Sequence, residues 1–199
     1  MGRRTEYRSR GTREERPIVF VMGDGLSECV YFDRLNELVD GVRIRTVPLK
    51  VTGWTNILAK CNGLARNGLF DMSKDILAIV TDEDGNYDVE SMERFQRECD
   101  KKEYMLCMSN ISFEVWLLMH YEIARKPMTE KELEERLSYH LKHPYVKSKG
   151  IPLTIPLLED AMGNVNVGQG SPESGVECLE RNPSTMVGGL VERIMEMRP

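Results

Sequence analysis

The run Ile76-Leu77-Ala78-Ile79-Val80-Thr81-Asp82-Glu83-Asp84-Gly85 decides how the chain is read. Six residues without a charge, rich in β-branched side chains, predict a buried strand. Acidic residues and a glycine follow at once. Residues two apart on a strand point to the same side, about 6.5–7 Å apart. Asp82 and Asp84 can therefore face one point where a loop leaves the carboxyl end of the strand. In open α/β sheets ligands bind at that edge. Two carboxylates there suit a hard divalent cation such as Mg²⁺. Asp, Gly and Asn also form turns, so Asp84-Gly85-Asn86 can equally be a plain chain reversal.

Working outward, the first half alternates in type. Pro17 to Met22 is an apolar run closed by Gly23-Asp24-Gly25, and reads as a strand. Ser27 is a candidate cap for a following helix with Tyr31, Leu35 and Leu38 on one face. Val42 to Leu49 reads as a second strand, Thr55 to Leu69 as a helix weakened by Gly63, Val89 to Lys102 as a charged helix, and Tyr104 to Met108 as a fourth strand. Strands alternating with helices predict a mostly parallel, Rossmann-like sheet with helices on both faces. From Ile111 the character changes. Ile111 to Tyr121 is almost continuously apolar. Thr129 with Glu132 opens a charged helix ending near Leu141 as a capping box. Pro144, Pro152 and Pro156 interrupt Lys142 to Gly170, Gly163 to Gly175 resembles a loop, and a last helix runs from about Ser184 to Met197. The predicted organisation is a flexible basic arm over 1–16 and one α/β domain over 17–199, with a helical C-terminal extension from about 125.

Composition narrows the function classes. The 199 residues carry a net charge of −5, which argues against a molecule basic all over. The arm is the exception: Arg3, Arg4, Arg8, Arg10, Arg13 and Arg16 stand against three glutamates. Such an arm either touches phosphates or aids solubility. It lacks the apolar stretch of a signal peptide. No apolar run approaches the roughly 18 residues that span a membrane. Five scattered cysteines with no C-x-x-C pair fit reduced thiols of a cytoplasmic protein better than zinc or disulfides.

Glu114 sits inside the apolar Ile111–Tyr121 stretch, where an unpaired carboxylate is expensive. It needs a cation, a metal or hydrogen-bond donors, and a structural partner and a catalytic role both satisfy that. His120 reads as a satisfied core histidine. Gly23-Asp24-Gly25 lacks the third glycine of a dinucleotide fingerprint and any Walker lysine, so a tight turn is the default. Asp82, Asp84, Asn86, Asp88 and Glu93 match calcium-loop spacing, but Tyr87 holds the position that needs glycine and a strand precedes the loop, which excludes an EF-hand.

The phrase Ser109-Asn110-Ile111-Ser112-Phe113-Glu114-Val115-Trp116-Leu117-Leu118-Met119-His120-Tyr121 resembles the SNPxFExWLLLHF signature of RloB-like proteins. Ser27 to Phe32 is similar to that family's TEpxYF segment, Val80 to Asp84 to its VFDxD motif, and Asn182-Pro183-Ser184-Thr185 to its closing NPST helix. The resemblance implies a Toprim fold and an association with restriction and anti-phage loci. It implies Mg²⁺ or Mn²⁺ at Asp82 and Asp84, with Asp24, Glu28 and Glu114 as further catalytic carboxylates. The family's usual EGExTE becomes Gly23-Asp24-Gly25-Leu26-Ser27-Glu28, so the expected glutamate falls on Gly23. Asp24 and Glu28 are the candidate substitutes. The implied function is metal-dependent cleavage of DNA or RNA, with Arg3, Arg4, Arg8, Arg10 and Lys147 on the backbone. The alternative is a non-catalytic regulator or partner of a defence ATPase. A small nucleotide-binding protein using the same cleft is a more distant reading. The sequence leaves the oligomeric state open.

Overall fold

The computed structural model describes residues 16–198 except 84, 86 and 169. Among them a five-stranded sheet runs in the order β2-β1-β3-β4-β5. Strands β1 (Ile18–Gly23), β2 (Arg43–Pro48), β3 (Ile76–Asp82) and β4 (Met105–Asn110) are parallel, and the two-residue β5 (Ser184–Thr185) pairs antiparallel with β4. Helices α1 (Leu26–Leu38), α2 (Trp54–Arg66) and α3 (Val89–Asp100) connect the parallel strands. After β4 come α4 (Glu114–Met119), α5 (Glu130–Leu141), α6 (Ile155–Val167), α7 (Gly175–Glu180) and, beyond β5, α8 (Val187–Glu196).

The central strands β1 and β3 are apolar along almost their whole length because both faces are covered, whereas the edge strand β2 exposes Arg43 and Arg45 on either side of the buried Ile44. Val19, Val21, Ala78 and Val80 point to one face and pack with α1, α4, α5, α6 and α8. Phe20, Met22, Leu77 and Ile79 point to the other and pack with α2, α3 and α7. This alternation aims Asp82, two residues beyond Val80, at the first face. The connection from β1 goes outward to β2 and the chain then returns to β3, so the order reverses between β1 and β3. That is the topological switch point, where a crevice opens at the carboxyl ends. Asp24 N–H donates to Val80 O at 3.2 Å and closes the two strands there.

Local differences from the sequence reading have identifiable causes. Within the apolar Ile111–Tyr121 stretch the helix α4 covers only Glu114–Met119, and Ser109 and Asn110 before it belong to β4. Ser27 does not cap α1: Gly25 is the cap position, and the Ser27 hydroxyl is used elsewhere. The proline-rich stretch contains α6, whose first turn accommodates Pro156 while Thr154 accepts from the Leu157 N–H. The final helix begins at Val187, after Ser184 and Thr185 have joined the sheet. The Thr129–Glu132 capping box forms as read. His120 is a satisfied core histidine: its Nδ1 donates to Trp116 O at 3.0 Å, which leaves Nε2 to accept from Tyr31 OH at 3.2 Å. Burial holds it neutral, with its pKa lowered to about 4. No helix among the described residues is long and apolar enough to cross a membrane.

Candidate active site

Three elements deliver acidic side chains to the switch point: the start of α1 carries Glu28, the end of β3 carries Asp82, and the first turn of α4 carries Glu114. Glu28 and Glu114 are each only 2% exposed. Gly25 makes room for this arrangement, since a Cβ there would lie 2.7 Å from Glu28 Oε2. At Gly23 a Cβ would meet Glu28 Cβ at 3.2 Å. The small residues of the β1–α1 turn therefore let the Glu28 side chain fold back over the strand end.

The three carboxylates differ in electrostatic state. Burial, opposed by backbone hydrogen bonds and reinforced by the charges of Glu114 and Asp24, raises Glu28 from 4.5 to about 7. Burial, then Glu28 and Glu114, push Asp82 well above the ordinary carboxylate range, against the pull of Lys147. Glu114 goes the other way. Burial pushes it up, but the Ser27 hydroxyl, the Lys147 ammonium and the Ser112 hydroxyl outweigh that and leave it lowered. Asp24 joins the cluster through its charge on Glu28 and Asp82.

The geometry around Glu114 explains its ionisation. Its Oε1 accepts from Ser27 Oγ at 2.7 Å and from Tyr145 OH at 3.0 Å, with Lys147 Nζ at 3.7 Å. The buried carboxylate that the sequence left without a partner is thus held by two hydroxyls and a cation. Tyr145 and Lys147 come from the segment between α5 and α6. That segment is fastened by Tyr145 N–H to Ser138 Oγ at 2.8 Å and by the Arg34 guanidinium to Ile151 O. It turns through Gly150 at φ +54°, where a Cβ would lie 2.9 Å from Val30. Gly150→Ala is expected to destabilise the fold by about 1–2 kcal/mol, from the positive φ and the contact together, as urea unfolding would measure.

Asp82 Oδ1 is buried and has no hydrogen-bond partner among the described residues. A buried carboxylate oxygen without a donor, beside two further acidic groups, is an arrangement that a divalent cation would relieve. The hard oxygen donors and the excess negative charge fit Mg²⁺ or Mn²⁺ in kind. Among the described residues, no three His, Cys, Asp or Glu side chains are already drawn together as a ligand set.

Of the residues singled out from the sequence, Asp24, Glu28, Asp82, Glu114 and Lys147 come together here. Asp84 lies outside the described residues, as do Arg3, Arg4, Arg8 and Arg10. Sequence reasoning missed Tyr145 and mistook the use of Ser27. Tyr145 carries no local signal, because it meets Ser27 across 118 residues of chain.

The family model described as RloB-like protein matches residues 18–194. No curated protein and no solved structure matches the chain.

Proposed function

The chain belongs to the RloB-like family, and from that premise we propose that it is a divalent-metal-dependent nuclease of an anti-phage or abortive-infection system, acting on DNA or RNA in the cytoplasm. The observation that carries this reading is the buried Oδ1 of Asp82, without a hydrogen-bond partner among the described residues and raised by the charges of Glu28 and Glu114, at the sheet's switch point. Asp82, with Asp84 two positions on in the sequence, would hold Mg²⁺ or Mn²⁺. Bound there, the ion would supply Lewis-acid stabilisation of the phosphate and activation of water.

The protein's own groups divide the remaining work. Glu28, poised at about 7, exchanges a proton near neutral pH and suits a general base or acid. Glu114 stays ionised, because Ser27, Tyr145 and Lys147 engage it; it orients the site and takes no proton at neutral pH. Lys147 is half-exposed beside the acidic cluster and is the cation placed to meet a phosphate. Substituting Lys147 by Ala should weaken nucleic-acid binding about equally for all sequences. The slope of log K against log salt should fall by about 1. Filter binding in chelator over a salt series measures both.

The direct test incubates the purified protein with plasmid, linear duplex, single-stranded DNA and RNA, in chelator, Mg²⁺ and Mn²⁺. Cleavage that requires the divalent ion supports the proposal. The alternative, a non-catalytic partner of a defence ATPase, is favoured by one observation: Gly23 stands where the resemblance implies a glutamate. Absence of cleavage on every substrate, with no heat of divalent-ion binding, would establish that alternative over the nuclease.

A further inference from the structure

On the sheet face opposite the carboxylates, α2 and α3 leave a groove of about 540 Å³. That volume is in the range of small-ligand sites, about 300–1,000 Å³. Its floor is aromatic and aliphatic. Trp54 rests on the buried Phe95 with ring centroids 6.3 Å apart and planes 30° apart, and lines the groove beside Leu58. Phe95 is also near-parallel to Tyr87, at 6.1 Å and 11°, so the Trp54 indole is backed by two further aromatic rings.

One wall is cationic. Arg94, Arg97 and Lys102 all line it. Arg94 pairs with Glu90, and Arg97 with Glu93 at 3.4 Å, both as exposed pairs on their own helix. Such pairs are weak and give way to a better anion. Lys102 makes no ion pair among the described residues. The lining carboxylate, Glu98, is already taken by Lys101 at 2.6 Å. On α2, Asn62 Oδ1 accepts from Tyr104 OH at 3.2 Å. This fixes the amide so that Nδ2 is left to donate into the groove.

A flat aromatic surface, an amide donor and clustered guanidinium and ammonium groups match one ligand chemistry. We propose that the α2–α3 groove binds a nucleoside phosphate, with the base on Trp54, a ring nitrogen or carbonyl oxygen of the base accepting from Asn62 and the phosphate at Arg94, Arg97 and Lys102. Stacking of bases on aromatic side chains tolerates any base, and phosphate is the anion that guanidinium forks bind best. The nucleoside phosphate is either a free nucleotide or one unit of a single strand. The site is separate from the carboxylates and stands whether or not the protein cuts nucleic acid.

The test uses the parent protein in chelator and follows tryptophan emission. The chain has two tryptophans, and Trp116 is fully buried, so a ligand in the groove is reported by Trp54. Adenosine 5′-monophosphate and a single-stranded oligothymidylate are titrated separately. Saturable quenching is expected, absent from Trp54→Phe and shifted to about tenfold weaker affinity in Arg94→Ala combined with Lys102→Ala. The two cations are surface side chains, so that double variant keeps the fold and the test does not depend on Trp54→Phe alone. Saturation by both probes assigns the groove to a free nucleotide; saturation by the oligothymidylate alone assigns it to a strand. The proposal fails if neither probe saturates, if Trp54→Phe is quenched as the parent is, or if the double variant binds with parental affinity.

Discussion

For the nuclease proposed above, Asp82→Asn is expected to lower metal-dependent cleavage by on the order of a thousandfold and to leave the fold intact. Asn preserves the volume of the side chain at the end of β3, removes the charge and replaces one acceptor oxygen by an NH₂ donor. The lost interaction is direct: Asp82 offers a buried oxygen that no donor in the described structure satisfies. Loss of a hard-cation ligand costs several kcal/mol of transition-state stabilisation, and each 1.36 kcal/mol is tenfold in rate. Structural damage is not expected, because the charge removed is repelled by Glu28 and Glu114. Gel assays of time-resolved cleavage measure the rate, and calorimetry on the same protein measures the ion. Both should fail together. An Asp82→Asn protein that cleaves at the parental rate would take Asp82 out of the chemistry. One that binds the ion as the parent does, yet fails to cleave, would leave Asp82 with a role other than holding it.

The residues that carry this argument were unequally visible in the sequence. Buried parallel strands are apolar on both faces, so Ile18–Gly23 and Ile76–Asp82 stood out within a residue or two, and the acidic residues at their ends stood out against them. Glu114 was conspicuous because a carboxylate in an apolar helix is costly, yet its partners could not be named. Ser27 lies 87 residues away and Tyr145 lies 31, and no local period links them. Prolines hid α6, since Pro152 and Pro156 read as breakers although Pro is at home in the first turn of a helix. The strand β5 is two residues long and exists only because it reaches β4, so nothing in Ser184-Thr185 alone announces it. The groove beside Trp54 was equally hidden. Its three aromatic rings come from α2, α3 and the loop before α3, and a helical pattern scores each only by its own element.

Glu28→Gln should make the metal-free protein more stable at alkaline pH by up to about 3 kcal/mol while removing the group best placed for proton transfer. The ordinary value for this carboxyl is 4.5 and the folded value is about 7. Between those two, the folded state binds more protons than the unfolded state, so stability falls as pH rises through the interval and is level above it. The loss across about 2.5 units, at 1.36 kcal/mol each, is the penalty that Gln avoids. Asp82, raised for the same reasons, adds a loss of the same sign, and removing the Glu28 charge relieves it as well. His120 works in the opposite direction. Its folded value of about 4 lies below the ordinary 6.5, so its contribution grows with pH across that range and masks part of the carboxylate effect below pH 6.5. The comparison therefore rests on the difference between variant and parent, from which His120 cancels. Urea unfolding in chelator from about pH 5 to pH 8.5 should give curves that diverge as pH rises towards 7 and run parallel beyond it, the variant higher. Millimolar Mg²⁺ or Mn²⁺ should then stabilise the parent more than the variant, and more at pH 8 than at pH 5, because the ion competes with protons for the same carboxylates. A variant less stable than its parent at pH 8 would mean that Glu28 is held by favourable contacts, and the repulsive acidic cluster on which the proposed chemistry depends would not exist.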